Sequence, residues 1–237
     1  MASPELLWEG GPSLIQAEHF RFTTDSVLLA SFASANGSRR GIDLGCASGI
    51  LSVILLEENP KTRMTGLELN PEAAALAREN MLLNGYSDRS EIVQGDIREH
   101  KKLFRPGAFD FAVCNPPYYP AGSGAVPADP ARAAARGETA CSISDIVSAC
   151  SYLVRTGGSL FLVHKPERLS ELMCVLSSTG LEPKRLRLVC SAAGAAPSLI
   201  LLEARRGGKP GLKILPELAL RGPDGRETEE IQKIYHR

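Results

Sequence analysis

The tetrapeptide Asn115-Pro116-Pro117-Tyr118 follows an apolar run that predicts a buried strand over 109–114. Two successive prolines make a rigid turn without backbone N–H donors. The Asn115 side-chain oxygen and the Pro116 carbonyl would then both face outward as acceptors, and Tyr118 adds a flat ring for stacking. Such a group of side chains suits a planar substrate group that bears an NH₂, such as an aromatic amine or an amide. A plain structural turn is the competing interpretation.

Three more polar features precede this tetrapeptide, each at the end of a predicted strand. Asp43, Gly45 and Gly49 form a glycine turn between strand and helix, where a ligand can approach the backbone and the helix N-terminus. Glu68 ends the second strand and could accept both hydroxyls of a ribose. Asp96 ends the third strand and could receive an adenine amino group. Taken singly, each has a structural explanation: a tight connection, a solvated strand end and a turn aspartate.

The predicted elements that position these residues alternate between strand and helix, which indicates a parallel sheet with helices on both faces. The last two strands, 185–190 and 198–203, have no helix between them and should pair antiparallel. We therefore predict an α/β fold, a Rossmann-like doubly wound seven-stranded sheet that is mostly parallel, with one antiparallel strand in a C-terminal hairpin. Ligands of such sheets bind at the carboxyl ends of the strands, where the polar features fall.

Two local features refine this pattern. Asn70 should cap the helix that starts at Pro71, and Ser144 should cap a later helix that Gly157-Gly158 closes. A Pro/Gly/Ala-rich loop over 119–143 is longer than most connections and is therefore a candidate functional segment.

The composition is that of an ordinary globular protein, with 27 basic and 27 acidic side chains among 237 residues. A net charge of zero removes the simple argument from a basic total to nucleic-acid binding. The charges are nevertheless uneven, because residues 1–130 sum to −5 and residues 131–237 to +5. This asymmetry is consistent with one basic side, although chance and solvated helix faces also explain it.

The six cysteines form no C-x-x-C pair, and the four histidines are scattered, so we expect free thiols and no metal site. The N-terminus has no signal-peptide pattern, and no apolar run is long enough to cross a bilayer. We expect a cytoplasmic protein with no membrane partner. The oligomeric state stays open, with a monomer favoured.

The order of the motifs Asp43-x-Gly45-x-x-x-Gly49, Glu68, Asp96 and Asn115-Pro-Pro-Tyr118 resembles that of class I S-adenosylmethionine-dependent methyltransferases that modify planar amino groups. Phe20-Arg-Phe22-Thr-Thr-Asp25-Ser26-Val-Leu-Leu-Ala is similar to the N-terminal signature of bacterial tRNA(Val) adenine N6-methyltransferases. The stretches 132–138 and 213–216 also resemble that family, and the similarity covers nearly the whole chain. Two positions depart from the pattern: Ala47 replaces a common middle glycine, and Gly137 replaces a bulkier residue.

The resemblance implies an N-methyltransferase that uses S-adenosyl-L-methionine and acts on the exocyclic amino group of an adenine in RNA, with tRNA as the expected substrate. The catalytic residues it implies are Asn115, Pro116, Pro117 and Tyr118. The cofactor-binding residues are Phe22, Thr24, Asp25, Asp43, Gly45, Gly49, Glu68, Leu69, Asp96, Ile97 and Asn115. The RNA-binding candidates are Arg132, Arg136, Lys165 and Arg168, with Lys184, Arg185, Arg187, Arg205 and Arg206 as further basic residues.

We expect residues 1–237 to form a single methyltransferase domain. Within it, residues 1–40 would supply a cofactor flap and a helix, residues 41–204 the sheet core, and residues 205–237 a tail.

Three alternatives stay open. A protein glutamine N5-methyltransferase of the release-factor type shares Asn-Pro-Pro-Tyr, but the roughly 40 residues before the first strand are too few for its helical substrate domain. A dinucleotide oxidoreductase would need the G-x-G-x-x-G turn that the chain lacks. A non-catalytic RNA-binding or cofactor-sensing domain is compatible with Ala47, although Asn115 and Tyr118 argue against it.

Overall fold

The computed structural model describes residues 3–16, 24–33, 40–116 and 141–236. In this part of the chain nine strands form one sheet, and two short strands form a separate N-terminal hairpin. The strands are β1 (Glu5–Leu6), β2 (Ser13–Leu14), β3 (Arg40–Leu44), β4 (Arg63–Glu68), β5 (Ser90–Gln94), β6 (Phe109–Cys114), β7 (Val154–His164), β8 (Leu181–Ala192), β9 (Pro197–Arg206), β10 (Lys213–Ile214) and β11 (Leu218–Arg221). The helices are α1 (Thr24–Ala33), α2 (Ile50–Glu58), α3 (Pro71–Leu83), α4 (His100–Leu103), α5 (Ile143–Leu153), α6 (Leu169–Ser178) and α7 (Glu229–Ile234), and 3-10 turns over Ile97–Glu99 and Pro166–Arg168 precede α4 and α6.

Seven strands make up the centre of the sheet, in the order β5-β4-β3-β6-β7-β9-β8. Strands β3 to β7 pair in parallel, whereas β9 pairs antiparallel with both β7 and β8. The predicted fold, with one antiparallel strand in a C-terminal hairpin, is confirmed. Strands β10 and β11 come from the predicted tail and extend the sheet, since both pair in parallel with β8.

Apolar side chains cover both faces of the sheet, because residues alternate between faces along each strand. Phe111 and Val113 of β6 pack on one face with helices α1, α2 and α3, and Ile231 of α7 joins this cluster. Ala112 and Cys114 of the same strand pack on the other face with α5 and α6. We call these the α1 face and the α5 face. None of the helices in the described ranges is long and apolar enough to cross a membrane.

Helix α5 begins before the predicted cap. Its N-cap is Ser142 rather than Ser144: the Ser142 Oγ accepts a hydrogen bond from the Asp145 N–H at 3.1 Å, and the Asp145 Oδ2 accepts one from the Ser142 N–H at 2.9 Å. These reciprocal bonds satisfy two donors at the start of the helix. The partner at the third helical position, Asp145, decides which of the two nearby serines is the cap.

The same helix ends at Leu153 rather than at the predicted glycine pair. Strand β7 begins directly at Val154, which pairs with β6, so the backbone is already extended when it reaches Gly157 and Gly158. A Cβ on Gly158 would approach the Asp110 carbonyl oxygen to 2.3 Å. Gly158 therefore lets β7 lie close to β6. It does not end a helix, as its sequence position had predicted.

Helix α3 begins as predicted, with the Asn70 Oδ1 accepting from the Glu72 N–H at 2.8 Å. The helix also holds the N-terminal hairpin. The Asn80 side chain accepts from the Ile15 N–H at 2.8 Å and donates to the Ile15 carbonyl at 3.1 Å. Asn84 bonds in the same way to Ser13. These two asparagines therefore bond to the backbone on either side of Leu14 and fix strand β2 against α3.

Candidate active site

The polar residues singled out in the sequence lie along one edge of the sheet. Asn115 follows β6, Asp43 lies near the end of β3, Glu68 ends β4, and Asp96 follows β5. Because these four strands are parallel neighbours in the order β6-β3-β4-β5, their carboxyl ends form a continuous row. From β3 the chain continues outward through β4 and β5, and it then returns to place β6 on the other side of β3. The row of strand ends therefore includes the topological switch point between β3 and β6, where ligands of such sheets bind.

The glycine turn after β3 follows a left-handed backbone at three positions. Gly45, Ala47 and Gly49 have φ values of +74°, +47° and +84°. At Gly45 an added Cβ would meet nothing within 4 Å, so the space in front of this residue is open. At Gly49 it would meet the Met81 Cε at 2.8 Å, which shows that α2 and α3 approach closely there. Ala47 adopts a conformation that carries a steric cost for any residue with a Cβ.

Glu68 ties the glycine turn to the start of α3. Its Oε2 accepts from the Ala47 N–H at 2.9 Å, and its Oε1 accepts from the Asn70 N–H at 2.8 Å. The side chain is only 7% exposed. A carboxylate oxygen can accept more than one hydrogen bond, so these contacts leave acceptor capacity for ribose hydroxyls. The carboxylate is thus held in place by the backbone of two neighbouring loops.

Asp43 is fully buried beneath the turn. Its Oδ2 accepts from the Ser52 Oγ at 3.1 Å, and within the described residues no donor reaches its Oδ1. The pKa of Asp43 is raised from its ordinary value of 3.8 to about 7: burial is the largest cause, the Ser52 hydrogen bond acts in the opposite direction, and the negative charge of Glu68 adds to the increase. A buried carboxyl with an unsatisfied oxygen favours a cationic or hydrogen-donating ligand nearby.

Asn115 is joined to the N-terminal helix. Its Nδ2 donates a hydrogen bond to the Oγ of Ser26 in α1 at 3.0 Å, and Ser26 is buried. This bond fixes the rotation of the amide, because the NH₂ end is held by α1 and the Oδ1 end lies on the opposite side. Pro116 is buried and Asn115 is half-buried. The amide that carries the expected acceptor oxygen is therefore oriented, through its NH₂ group, by a helix that is 89 positions away along the chain.

Asp96 is paired with Arg98, two residues further along the chain. Its Oδ1 accepts from the Arg98 backbone N–H at 2.8 Å, and its two oxygens also accept from the Arg98 Nε at 3.0 Å. The Arg98 guanidinium holds the pKa of the Asp96 carboxyl below its usual range. An adenine amino group at this position would share Asp96 with a guanidinium.

The remaining cofactor candidates lie close to this row where they are described. Thr24 and Asp25 form the first turn of α1. Leu69 is 39% exposed directly after Glu68, and Ile97 is half-buried directly after Asp96, so each offers an apolar side chain next to an acidic one. Other candidates lie outside the described residues: Phe22, Pro117, Tyr118, Arg132 and Arg136, with most of the 119–143 loop.

The basic candidates separate into two groups. Lys165 and Arg168 follow β7 at the carboxyl edge, where the Lys165 Nζ donates to the Ser198 carbonyl at 3.4 Å and Arg168 pairs with Glu171 at 2.5 Å. The second group lies at the opposite, amino-terminal edge of the sheet, because β8 starts there and the antiparallel β9 ends there. Its members are Lys184, Arg205 and Arg206. Arg185 and Arg187 lie further along β8, in register through β9 with Phe161 and Val163 of β7.

Three supporting residues were missed by sequence reasoning: Ser26, Ser52 and Asn80. Asn80 is fully buried, and its Nδ2 donates to the Ser48 carbonyl of the glycine turn at 2.9 Å. The available signal was a polar residue on an otherwise apolar helix face. Ser52 interrupts the apolar run Ile50–Leu56, and this interruption was visible in the sequence without a partner to explain it.

In the described part of the chain, no group of three or more His, Cys, Asp or Glu side chains is arranged to hold a metal ion. The open space at Gly45, the buried Asp43 oxygen and the acidic side chains at the ends of β4 and β5 instead fit a nucleoside with a positively charged group. The sheet topology and this edge define a class I methyltransferase.

Comparison with known proteins agrees with this class. A family profile described as "Methyltransferase small domain" matches residues 19–173. In structure, the chain is similar to a predicted O-methyltransferase from Agrobacterium tumefaciens, with a TM-score of 0.74, 20% identity and coverage of 90% of this chain and 96% of the other. It is also similar to TrmN from Thermus thermophilus, with a TM-score of 0.56, 18% identity and coverage of 76% and 48%. These two likenesses show the fold.

Curated relatives narrow the family. Proteins named tRNA1(Val) (adenine(37)-N6)-methyltransferase are 30% identical in Aeromonas hydrophila, over 78% of this chain and 76% of the relative, and 30% identical in Shewanella sp. strain MR-4, over 90% and 89%. The relative from Porphyromonas gingivalis strain W83 is 31% identical over 78% and 74%. The chain belongs to this family of methyltransferases, as the sequence resemblance implied.

Proposed function

We propose that this enzyme transfers a methyl group from S-adenosyl-L-methionine to the exocyclic N6 of an adenine in tRNA. The carrying observation is the position of Asn115, at the end of β6 beside Asp43, with its NH₂ held by Ser26 at 3.0 Å. This orientation supports an acceptor role for Oδ1 toward an amino group. The names of the relatives support adenine 37 of tRNA1(Val) as the target.

The cofactor would be held along the row of strand ends. The backbone of the Gly45–Gly49 turn would face its methionine end, with Asp43 beneath, and Glu68 would accept the ribose hydroxyls. Leu69, Asp96 and Ile97 would surround the adenine, and Phe22, Thr24 and Asp25 would form a flap. When bound, the cofactor supplies a methyl group on a positively charged sulfur. The unsatisfied Asp43 oxygen and the open space at Gly45 support this arrangement.

The substrate amino group needs positioning more than a base. The lone pair of an aromatic amine is delocalised into the ring, which makes the nitrogen a poor nucleophile. Acceptance of its two N–H bonds by the Asn115 Oδ1 and the Pro116 carbonyl would favour a pyramidal nitrogen whose lone pair points at the methyl group. Pro117 would keep the turn rigid, and Tyr118 would stack on the base, contributing about 1–3 kcal/mol.

The tRNA would be held by basic residues near the same edge. Lys165 and Arg168 follow β7, the neighbour of β6, which supports a place for them beside Asn115. Arg132 and Arg136 are the further candidates. We also propose that the chain works as one methyltransferase unit in the cytoplasm, since the tail strands join the same sheet as the core and the proposed substrate is tRNA.

The test is methyl transfer from S-adenosylmethionine labelled in the methyl group. Transcribed tRNA1(Val), the same transcript with guanine in place of adenine 37, and a release factor are each offered as substrate. We expect label in N6-methyladenosine after nucleoside digestion of the first transcript and background label in the second. Label in the release factor alone would establish the glutamine methyltransferase alternative and overturn the proposal.

A matched pair of variants tests the role of Asn115. Asn115→Ala should abolish turnover while cofactor affinity, measured by calorimetry, stays nearly unchanged. Asn59→Ala, which changes an asparagine after α2, should behave as wild type. Full turnover in Asn115→Ala would contradict the proposed acceptor role.

A further inference from the structure

A second cluster of charged residues lies on the α1 face of the sheet, over β7, β9 and β8. An open cavity of about 490 Å³ is lined by the α1 face of β7, β8 and β9 together with helices α1 and α7. We call it the arginine cavity and define it by Arg155, Ser159, Arg185, Arg187, Glu203 and Arg205. Ser159 precedes His164, the last residue of β7, by five positions, so the far end of the cavity is about 17 Å from the carboxyl edge along the strand. Arg187, in register with Leu201 and Val163, lies nearer to that edge.

The sequence of the strands shows that this cavity is a built feature. On the α1 face, the inward positions of β7 and β9 are apolar at Phe161 and Leu201. Toward the amino-terminal edge, the next inward residue of β9 is Glu203, which is opposite Phe161, and after it come Ser159 of β7 and Arg205 of β9, which are opposite each other. An ordinary sheet face under a helix would continue as apolar residues. The change from apolar to charged side chains therefore needs a polar occupant or a specific polar network.

Glu203 is the centre of such a network. It is only 7% exposed, and Ser159 is 5% exposed. The Ser159 Oγ donates to the Glu203 Oε1 at 2.9 Å, and the Arg185 Nε donates to the Glu203 Oε2. Burying a carboxylate is unfavourable unless it is paired. The buried Glu203 therefore holds the Arg185 guanidinium in place.

Arg185 is also held by an aromatic residue. Its guanidinium carbon lies 4.6 Å from the centre of the Phe32 ring, and its Nη2 donates to the Phe32 carbonyl at 3.3 Å. Stacking and carboxylate pairing together orient a guanidinium plane. A guanidinium has five N–H donors, and these contacts use only part of them. The result is a preoriented donor group at the wall of a cavity.

The charges of the cavity leave one cation in excess. Arg155 pairs with Asp110 at 2.6 Å, and Arg187 pairs with Glu230 at 2.7 Å. Arg205 is exposed, and within the described ranges no hydrogen bond or ion pair involves its guanidinium. Arg205 belongs to the same inward row as Glu203, two positions further along β9. An unneutralised arginine beside a preoriented one favours an oxyanion.

We propose that the arginine cavity is a binding site for a phosphate group, separate from the methyl-transfer edge. Arg185 would supply a fixed pair of donors, and Arg205 the unneutralised charge, with Arg155 at the rim. Guanidinium groups match tetrahedral oxyanions that have several acceptor oxygens. The phosphate comes either from the backbone of an RNA or from a free phosphate compound. The site does not depend on the function proposed for the other edge.

The test compares Arg205→Gln with Arg226→Gln. Both substitutions remove one positive charge, but Arg226 is 87% exposed and does not line the cavity. Binding of inorganic phosphate is measured by calorimetry at constant ionic strength, and binding of transcribed tRNA by filter retention over a range of KCl concentrations. We expect Arg205→Gln to weaken phosphate binding at least fivefold and Arg226→Gln to leave it unchanged.

The tRNA arm identifies the source of the phosphate. The slope of the logarithm of tRNA affinity against the logarithm of KCl concentration should decrease in magnitude by about one for Arg205→Gln alone if the bound phosphate belongs to an RNA backbone. Weaker binding of inorganic phosphate with an unchanged tRNA slope supports a free phosphate compound. Equal behaviour of the two variants in both arms overturns the proposal. Circular dichroism checks that Arg205→Gln is folded.

The failure of this proposal can be told apart from failure of the proposed function. If the wild type methylates tRNA while the two variants bind phosphate and tRNA equally, only the cavity proposal is wrong. If Arg205→Gln alone loses phosphate binding while label from S-adenosylmethionine enters only protein, only the proposed function is wrong.

Discussion

The substitution Asp43→Asn tests the electrostatics of the site most directly. Asp43 is fully buried beneath the glycine turn, where its carboxyl accepts one hydrogen bond from Ser52. Burial first, and then the negative charge of Glu68, raise its pKa from 3.8 to about 7. Asparagine has nearly the same shape and can accept the same Ser52 bond, but it has no proton to lose. The variant therefore isolates the ionisation from the packing.

The sign and size of the effect follow from proton linkage. In the unfolded chain the Asp43 carboxyl loses its proton near pH 3.8, whereas in the folded protein it does so only near 7. Between these values the folded state binds the proton more tightly, so this group lowers stability as pH rises, and the effect is complete above about 7. Since a tenfold difference in proton affinity is worth about 1.4 kcal/mol, the total is about 4 kcal/mol.

Urea unfolding followed by circular dichroism measures this difference. The free energy of unfolding is determined from pH 4 to pH 9 for the wild type, Asp43→Asn and the exposed control Asp88→Asn. The stability of Asp43→Asn relative to the wild type should increase by several kcal/mol between pH 4 and pH 8, and other titrating groups cancel in the comparison. Asp88→Asn should follow the wild-type curve. Parallel curves for Asp43→Asn and the wild type would refute the reasoning.

The affinity for S-adenosylmethionine should depend on the same ionisation of Asp43. A cationic cofactor favours the ionised form of Asp43, so wild-type affinity should rise with pH up to about 7 and then level off, with a proton released on binding below that pH. Calorimetry in buffers of different ionisation enthalpy counts this proton. Asp43→Asn should bind more weakly and release none, and an unchanged proton count would contradict the assignment.

Three further substitutions test single contacts. Ser26→Ala removes the bond that orients Asn115, so kcat should fall about fivefold to tenfold for a loss of about 1 kcal/mol, with cofactor affinity unchanged; an equal loss of cofactor affinity would indicate a general structural defect. Ala47→Gly removes the steric cost of a left-handed backbone at φ +47°, so the free energy of unfolding in urea should rise by about 0.5–1 kcal/mol. A free energy of unfolding below that of the wild type would show that the Ala47 methyl group packs favourably. Arg98→Gln releases Asp96 from its guanidinium partner, and calorimetry should show that cofactor binding tightens only slightly, because a solvent-exposed ion pair is weak. Weaker binding would show that the pair prepares the site.

Much of the fold could be predicted because its causes are local. The alternation of strand and helix patterns and the cap at Asn70 depend on residues within a few positions of each other. The absence of a helix before 198–203 was enough to predict the antiparallel pairing of β8 with β9. Local rules failed at Ser144 and at Gly157-Gly158, because the position of Asp145 and the pairing of β7 with β6 decided those boundaries.

The candidate site divides in the same way. The sequence by itself determined that Asp43, Glu68, Asp96 and Asn115 fall at strand ends, and parallel strands bring such ends to one edge for a topological reason. The tertiary structure alone decided their surroundings. The Ser26–Asn115 bond joins residues 89 positions apart, and the burial that raises the pKa of Asp43 comes from packing around the whole sheet.

The tertiary structure also decided the distribution of charge. The sequence showed a basic second half, but the reversal of direction at β9 carries Arg205 to the edge opposite Lys165 and Arg168. The tail strands β10 and β11 also pair with β8. They are only two and four residues long, which is too short for a sequence pattern to predict the pairing. Strand order and direction depend on contacts between distant parts of the chain, so they fix which charges meet, whereas the residue sequence fixes only which charges exist.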